Sequence, residues 1–524
     1  MNDRAVLVYP PSLDFIIAFI ACLKAGIIAV PVFPPHPSRR DTLVMFSSIV
    51  NSCDAKYALT SQNYFHMKKL SGEVQRIYLL SNLNLFIVSL LILSIFLTYV
   101  LTFLELRDGF LRFSSPTSPA WPENLSWITT DKISFKNSKK QSLSNIAQPT
   151  DLAFLQYTSG STSEPKGVMI SHSNLNDNLF KISNELETSP STVCVSWLPQ
   201  YHDMGLIGSY LGLLFCGGSG FYLSPLTFIQ RPMLWLEVVS KYRGTHLQAP
   251  NFAFALTARK FEAKQYSETS LNLSCIQHMI NAAEPVTEAS ITAFQTAFGP
   301  FGLNPTVMFP TYGLAEHTVF VCSGGKQRLT VSKSKLEVDG VVEIVSLSSD
   351  TDSSRLVGCG YPEKQKVDVR IVDTSTIEER MENEVGEIWV RSESKAQGYY
   401  KKPLESKPEF CAQLGPIPES ALESNVNSME VDYVPSEGYL RTGDLGFMHG
   451  GELFICGRMK DLIIIGGRNY YPQDIEATVE RTSNAIRPGC TAAFTVDPVS
   501  GEGEQVAIVL ELREVPNAQV GNLE

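Results

Sequence analysis

The sequence predicts an α/β fold, and three stretches carry that prediction. Residues 5–32 pass from a short apolar strand through a helical run to a second strand, the opening of a βαβ unit. Residues 153–186 repeat the passage from strand to helix, this time through a loop of hydroxyls, glycines and one lysine. Toward the C-terminus, residues 367–373 and 386–391 read as strands of a smaller sheet. With 524 residues, 44% hydrophobic and 19% charged, there is chain enough for at least two domains with sizeable cores.

Taken in order, residues 5–8 are a buried strand, Pro10-Pro11 a turn, 12–24 a helix rich in Ile, Phe and Ala, and 26–32 the next strand. The unit starts without a preceding helix or cap, so the natural domain is expected to begin earlier. Residues 33–37 form a proline-rich turn and 55–60 a further strand. Residues 79–104 then run without a single charge, long enough to cross a bilayer as a helix. Three readings stand: a membrane anchor, a buried core helix, or sequence foreign to the mature protein. Topology favours the last, because a spanning helix would put the first βαβ unit and the loop after residue 157 on opposite sides of a membrane. Residues 116–122 are a Ser/Pro-rich connector, and 127–130 return to strand character.

The loop Tyr157-Thr158-Ser159-Gly160-Ser161-Thr162-Ser163-Glu164-Pro165-Lys166-Gly167 follows a strand over 153–157. Beyond it, Leu175, Leu179, Ile182 and Leu186 fall at helical spacing, with Ser171 or Ser173 as the cap. Amides freed by glycines, hydroxyls and a cation ahead of a helix suit polyphosphate oxygens. It is not the common phosphate loop, which ends Gly-Lys-Ser/Thr. A plain solvated turn is the competing reading. Residues 193–197 are a strand ending in Leu198-Pro199-Gln200-Tyr201-His202-Asp203-Met204-Gly205, before a Gly-rich apolar helix. Residues 302–313 hold another strand and turn, 326–355 an exposed insertion or hairpin, and 419–435 a polar loop.

Composition narrows the function. A formal charge of −11 gives no basic footprint for nucleic acid. The ten cysteines contain no CxxC and the eight histidines no HExxH, so neither zinc nor a disulfide framework is indicated. Buried thiols in a reducing, cytoplasmic setting are expected, with membrane association only if 79–104 is real.

Six motifs occur in order: YTSGSTSEPKG, WLPQYHDMGLIG, NAAEPV, YGLAE, RTGDLGF and GRMKDLIIIGGRNYYPQDIE. Together they resemble the adenylate-forming superfamily, and within it the fatty acyl-AMP ligases, over nearly the whole chain apart from the apolar stretch. The resemblance implies a large N-terminal domain of mixed β-sheets flanked by helices over 1–457, then a hinge and part of a smaller α/β domain over 458–524. It implies that Thr158, Ser159, Gly160, Ser161, Thr162 and Lys166 hold the ATP phosphates. Asn281, Ala282, Ala283 and Glu284, with Tyr312 and Gly313, would form the adenine pocket. Glu316 would bind Mg²⁺, Asp444 the ribose hydroxyls, and Arg458 the ribose and phosphate. Lys460 and Asp461 would be the hinge. His202 would gate the acyl pocket, with a structural histidine as the rival reading. Ala315 stands where the superfamily often has threonine, so a hydroxyl contact is missing or supplied elsewhere.

The implied reaction is attack of a fatty acid carboxylate on the ATP α-phosphorus, releasing pyrophosphate and leaving an acyl-adenylate. Apolar residues between 206 and 254 suit the walls of an alkyl site, or plain core. The family's C-terminal catalytic lysine has no counterpart before residue 524, which implies weakened adenylation by the chain as given. The insertion at 326–355 lies where acyl-AMP ligases carry one that disfavours coenzyme A, so an acyl carrier protein or polyketide synthase is the expected acceptor. A long-chain acyl-CoA synthetase is the alternative, and a catalytically impaired adenylate- or lipid-binding module is the alternative of another class.

Overall fold

The computed structural model describes residues 3–36, 39–70, 121–133, 147–158, 164–267, 270–346, 352–415, 438–465, 468–496 and 505–513. The uncharged stretch 79–104 and the polar loop 419–435 lie outside them. Among the described residues no helix is long and apolar enough to cross a membrane. The chain forms two compact units, Met1–Gly167 and Val168–Glu524.

In the first unit β1 (Arg4–Val8), α1 (Leu13–Ala25) and β2 (Ile28–Pro31) form the expected βαβ unit, the strands parallel with Val6 opposite Val30. Helix α2 (Arg40–Cys53), which the sequence reading passed over, leads to β3 (Tyr57–Thr60), parallel to β1. β4 (Ser126–Thr129) lies beside β3, and β5 (Leu152–Thr158) beside β2. Ala5 through Val8 are all buried, as a parallel strand covered on both faces requires. The sheet runs β4-β3-β1-β2-β5 and then β6 (Lys166–Ser171), in which the boundary between the units falls.

β6 corrects one expectation. The loop after β5 leads not into a helix but into this strand, because Val168 to Ile170 is an apolar, β-prone run. Helix α3 (His172–Glu185) starts only afterwards, capped by Ser171 rather than Ser173. The Asn174 N–H donates to Ser171 Oγ at 3.1 Å and the Ser171 N–H to Asn174 Oδ1 at 3.0 Å, a reciprocal capping box. A helix dipole acts over its first turn only. Lys166 opens β6 five residues ahead of that cap, outside the first turn. Gly167 is a glycine for a local reason: a Cβ there would sit 2.8 Å from the Tyr157 ring.

The second unit is built first on a mixed sheet ordered β12-β11-β10-β9-β7-β8. Its strands are β7 (Val193–Ser196), β8 (Ser219–Tyr222), β9 (His246–Pro250), β10 (His278–Ala282), β11 (Met308–Tyr312) and β12 (Cys322–Ser323). Only β12 pairs antiparallel, against β11. Between β7 and β8 lie a π-helix (Met204–Leu211) and the short α4 (Gly212–Cys216). Helices α5 (Pro225–Gln230), α6 (Met233–Tyr242), α7 (Asn251–Arg259) and α8 (Glu288–Phe298) supply the core. There Trp197 stacks on Phe228 at 3.8 Å, and the Trp235 indole N–H donates to Val195 O at 3.2 Å.

The polar insertion forms the antiparallel pair β13 (Arg328–Ser332) and β14 (Ser353–Val357), a hairpin as expected. A four-stranded antiparallel sheet follows: β15 (Asp368–Val372), β16 (Gly386–Arg391), β17 (Leu440–His449) and β18 (Glu452–Arg458). α9 (Pro403–Phe410) enters between β16 and β17 in sequence. The buried Lys395 donates from Nζ to Phe410 O at 2.9 Å and to Gly438 O at 2.6 Å, while Ala412 and Tyr439 pair as an antiparallel bridge. The chain then passes through a 3₁₀ turn (Met459–Asp461), the pair β19 (Ile463–Ile465) and β20 (Arg468–Tyr470), α10 (Pro472–Thr482), and the pair β21 (Ile486–Val496) and β22 (Gln505–Leu512).

Candidate active site

Tyr312, the last residue of β11, and Asp444, in the interior of β17, are 132 residues apart in sequence and meet between two sheets. The Tyr312 hydroxyl donates to Asp444 Oδ2 at 2.6 Å. Asp444 Oδ1 faces Arg458 Nε at 3.3 Å, because β17 and β18 pair these two residues directly. The Asp444 N–H donates to Thr442 Oγ1 at 3.1 Å, fixing the backbone ahead of an irregularity in the strand register at Leu445/Gly446. Asp444 thus lies within a strand and not on the turn that its Arg-Thr-Gly-Asp setting suggests. Burial pushes its pKa up, while the Tyr312 hydroxyl, Arg458 and Lys460 hold it down and Asp461 opposes them. The pair Lys460-Asp461 on the 3₁₀ turn is therefore within electrostatic reach of this carboxylate. An ionised carboxylate held on both oxygens keeps lone pairs free to accept from a sugar diol. Gly313 has to be glycine: a Cβ there would sit 1.8 Å from Val319 O.

Asn281, Ala282, Ala283 and Glu284 leave the C-terminal end of β10. Asn281 is fully buried and donates from Nδ2 to Asn251 Oδ1 at 3.2 Å, yet its own Oδ1 is buried with no hydrogen-bond partner among the described residues. Asn251 Oδ1 is crowded by comparison, accepting also from the Thr287 N–H at 3.2 Å and from the Ser290 hydroxyl. Ala283 has a φ of 68°. A residue with a Cβ in left-handed backbone costs about 1–2 kcal/mol, and such strain concentrates at ligand-binding turns. Glu284, though exposed, accepts the Phe252 N–H; partial desolvation of its carboxyl raises its pKa and that hydrogen bond lowers it. An unmet acceptor beside a strained, exposed turn suits the edge of a base carrying an amino group.

Glu316 sits on the turn Ala315–His317. The Tyr399 hydroxyl lies 3.0 Å from Glu316 Oε1 and 2.6 Å from Glu409 Oε2, so one proton serves two carboxylates. Burial raises the Glu316 pKa, the Tyr399 hydrogen bond lowers it, and Glu409 and Asp203 raise it further. Such a concentration of negative charge suits a hard cation. Among the described residues no three His, Cys, Asp or Glu converge to hold a metal by themselves. Mg²⁺ takes one or two carboxylates and completes its shell with phosphate oxygens and water, so Glu316 has the chemistry to be one of them.

His202 is half-exposed and paired with Asp203 at 2.7 Å, whose charge raises its pKa. It is not packed into the core, and Asp203 caps the π-helix by accepting the Met204 N–H at 2.6 Å. The apolar residues between 206 and 254 divide in two. Phe228, Trp235, Leu236 and Phe254 are fully buried core. The residues that line a cavity against β9 and β10 are instead the small ones, Gly208, Ser209 and Gly212, with Leu213, Cys216 and Ile280. π-Helices occur mostly as short turns at functional sites.

Thr158 closes β5 and Lys166 opens β6, both in the first unit; Ser159, Gly160, Ser161 and Thr162 lie outside the described residues. Tyr399, Glu409 and Asn251 were not singled out by the sequence. Each lies away from the motifs: Tyr399 is marked by its contact with Glu316, Glu409 by its contact with Tyr399, and Asn251 by its contact with Asn281.

The AMP-binding enzyme family matches residues 1–400. The chain is 35% identical over 516 residues to a medium-chain-fatty-acid–[acyl-carrier-protein] ligase, JamA of Moorena producens, covering 98% of this chain and 76% of that protein. It is 32% identical to the long-chain-fatty-acid–AMP ligase FadD32 of Mycolicibacterium smegmatis, covering 94% and 71%. A crystal structure of a fatty acid AMP ligase from Legionella pneumophila superposes with a TM-score of 0.70 at 33% identity, covering 98% of this chain and 76% of that one. A second Legionella pneumophila structure, a fatty acyl-adenylate ligase in complex with acyl adenylate and pyrophosphate, gives 0.68 at 31% identity, covering 98% and 77%. With the motifs, the mixed-sheet architecture and these relatives in agreement, the chain belongs to the AMP-binding enzymes, in their fatty acyl-AMP ligase branch.

Proposed function

We propose that this chain activates a fatty acid with ATP and Mg²⁺ and passes the acyl group to a carrier protein. A carboxylate oxygen of the acid attacks the α-phosphorus, the bond from that phosphorus to its bridging oxygen breaks, and pyrophosphate leaves with the electron pair. Acyl-adenylate remains. Thr158 to Thr162 and Lys166 hold the phosphates, countering the repulsion between two anionic reactants. Asn281 to Glu284 and the Tyr312 face take the base, and Asp444 with Arg458 the ribose. Mg²⁺ at Glu316 neutralises phosphate charge when bound. His202 stands at the entrance to the acyl site, and Lys460-Asp461 is the hinge between residues 1–457 and 458–524.

The observation that carries this reading is the Tyr312–Asp444–Arg458 arrangement, a buried carboxylate oriented by one donor and one cation. Carrier-protein transfer is supported by the names of the Moorena producens relative and of a Teredinibacter turnerae relative at 34% identity, both [acyl-carrier-protein] ligases. One observation favours coenzyme A instead: a Mycobacterium tuberculosis relative at 32% identity is named a putative fatty-acid–CoA ligase. Fatty-acid-dependent pyrophosphate release, followed by competition between holo carrier protein and coenzyme A, tests both. Absence of release with ATP bound would refute the ligase reading, and thioester formation with coenzyme A would transfer the acceptor to the second.

A further inference from the structure

β16 and β17 pair out of step just where Asp444 lies. Glu387 stands opposite Leu445 and Trp389 opposite Arg441, so Ile388 alone faces Thr442, Gly443 and Asp444. The surplus residues bulge, and Gly443 takes the left-handed φ of 70° that the bulge requires. Among the described residues no atom lies within 4 Å of where its Cβ would be, so the backbone angle and not crowding calls for glycine there. Bulges beside active sites re-aim a side chain. The one re-aimed here is Asp444, whose carboxylate meets Tyr312 and Arg458.

Side chains staple this bulge to β16. Glu387 is 2% exposed; its Oε2 accepts from Arg441 Nε at 2.9 Å and from the Trp389 indole N–H at 2.9 Å, and its Oε1 accepts from the Gly443 N–H at 3.2 Å. The Thr442 hydroxyl donates to Ile388 O at 2.7 Å and accepts the Asp444 N–H at 3.1 Å. The Arg441 guanidinium also lies over the Trp389 ring, 5.6 Å from its centre. A carboxylate taken out of water is costly unless it is fully paired, and backbone hydrogen bonds suffice to join two antiparallel strands. What Glu387 adds beyond strand pairing is a grip on the bulge, at Arg441 before it and at Gly443 inside it.

We propose that Glu387 is a positioning residue for nucleotide binding: through Arg441 and Gly443 it fixes the bulge that aims Asp444 at the ribose hydroxyls. This rests on the ribose reading of Asp444 proposed above. Glutamine at this position satisfies only part of the arrangement, because its NH₂ must face a donor, either Gly443 or Arg441 and Trp389.

The test is calorimetric binding of ATP and of 2′,3′-dideoxy-ATP, which lacks both hydroxyls, to the full chain with Mg²⁺ present. The unaltered chain is expected to bind ATP about tenfold or more tighter, since hydrogen bonds to a charged group go with the hydroxyls. Glu387→Gln should reduce that preference to about threefold or less by weakening ATP, and should add nothing to the loss of preference in Asp444→Ala. A role in stability alone would lower the thermal midpoint and weaken both nucleotides by one factor; a preference kept in this way overturns the inference. Thr442→Val removes the other staple at nearly the same side-chain shape, and should lose the preference as well. Should Glu387→Gln not fold, a preference retained by Thr442→Val overturns the inference in its place. Equal binding of the two nucleotides by the unaltered chain overturns the ribose reading and the inference with it.

Discussion

Replacing Tyr312 with phenylalanine keeps the aromatic face and removes one hydroxyl, the donor that meets Asp444 Oδ2 at 2.6 Å. A hydrogen bond to a charged, buried acceptor contributes about 1.5–3 kcal/mol. Its loss therefore raises the Asp444 pKa further, since the hydroxyl favours the ionised form. The rise adds to one that burial has already imposed. The sign differs between folding and binding. Because the folded pKa lies above the unfolded one, Asp444 contributes stability below its ordinary pKa and loses it as pH rises through the raised value. Nucleotide binding runs the other way, since the ribose diol needs an ionised acceptor: affinity is present above the raised pKa and lost as pH falls through it. Tyr312→Phe should therefore move the acid limb of ATP affinity upward in pH, weakening binding between the two limbs by about 10- to 100-fold, the change that a lost hydrogen bond to a charged group corresponds to. Well above both, the two proteins should converge. Calorimetric titration with ATP from pH 5 to 9 checks this. Superimposable profiles would refute the coupling, and a uniform loss at every pH would mean that the hydroxyl touches the nucleotide itself.

Three other substitutions probe separate parts of the second unit. Glu316→Gln should raise the Mg²⁺ concentration needed for half-maximal pyrophosphate release by about tenfold or more, as loss of a charged ligand to a hard cation implies; a Mg²⁺ titration that matches the unaltered chain would remove the metal assignment. Gly313→Ala places a methyl 1.8 Å from Val319 O, and should destabilise by about 3 kcal/mol or more, seen as a lowered thermal midpoint or loss of soluble protein. Lys395→Met leaves two buried carbonyls, Phe410 O and Gly438 O, without their donor. At about 1–3 kcal/mol for each unsatisfied group, the thermal midpoint should drop by several degrees.

The βαβ opening and the strand ahead of the 158–166 loop were legible because each is a short apolar run bounded by turn residues, whereas 326–355 is polar and poorly periodic and allowed an exposed insertion as well as the hairpin that strand pairing decides. The helix after the loop was misplaced because a lysine and glycine ahead of an apolar run suit a strand start as well as a helix entry, and only pairing decides between them. β17 was missed for a related reason: Arg441-Thr442-Gly443-Asp444 has turn composition, and neighbouring β16 and β18 impose extension on it. The motifs marked Tyr312, Glu316 and Asp444 individually. What no motif announces is that Tyr312 orients Asp444, or that Tyr399 and Glu409 bear on Glu316, since those contacts span from 10 to 132 positions of sequence.

Lys395 holds together two points of the chain, Phe410 and Gly438, 28 positions apart, and the Ala412–Tyr439 bridge closes the same stem. An ammonium buried against two carbonyl oxygens leaves one of them unsatisfied if either end of chain moves away, so residues 410–412 and 438–439 keep one common frame, and Glu409 and Asp444 on either flank share it.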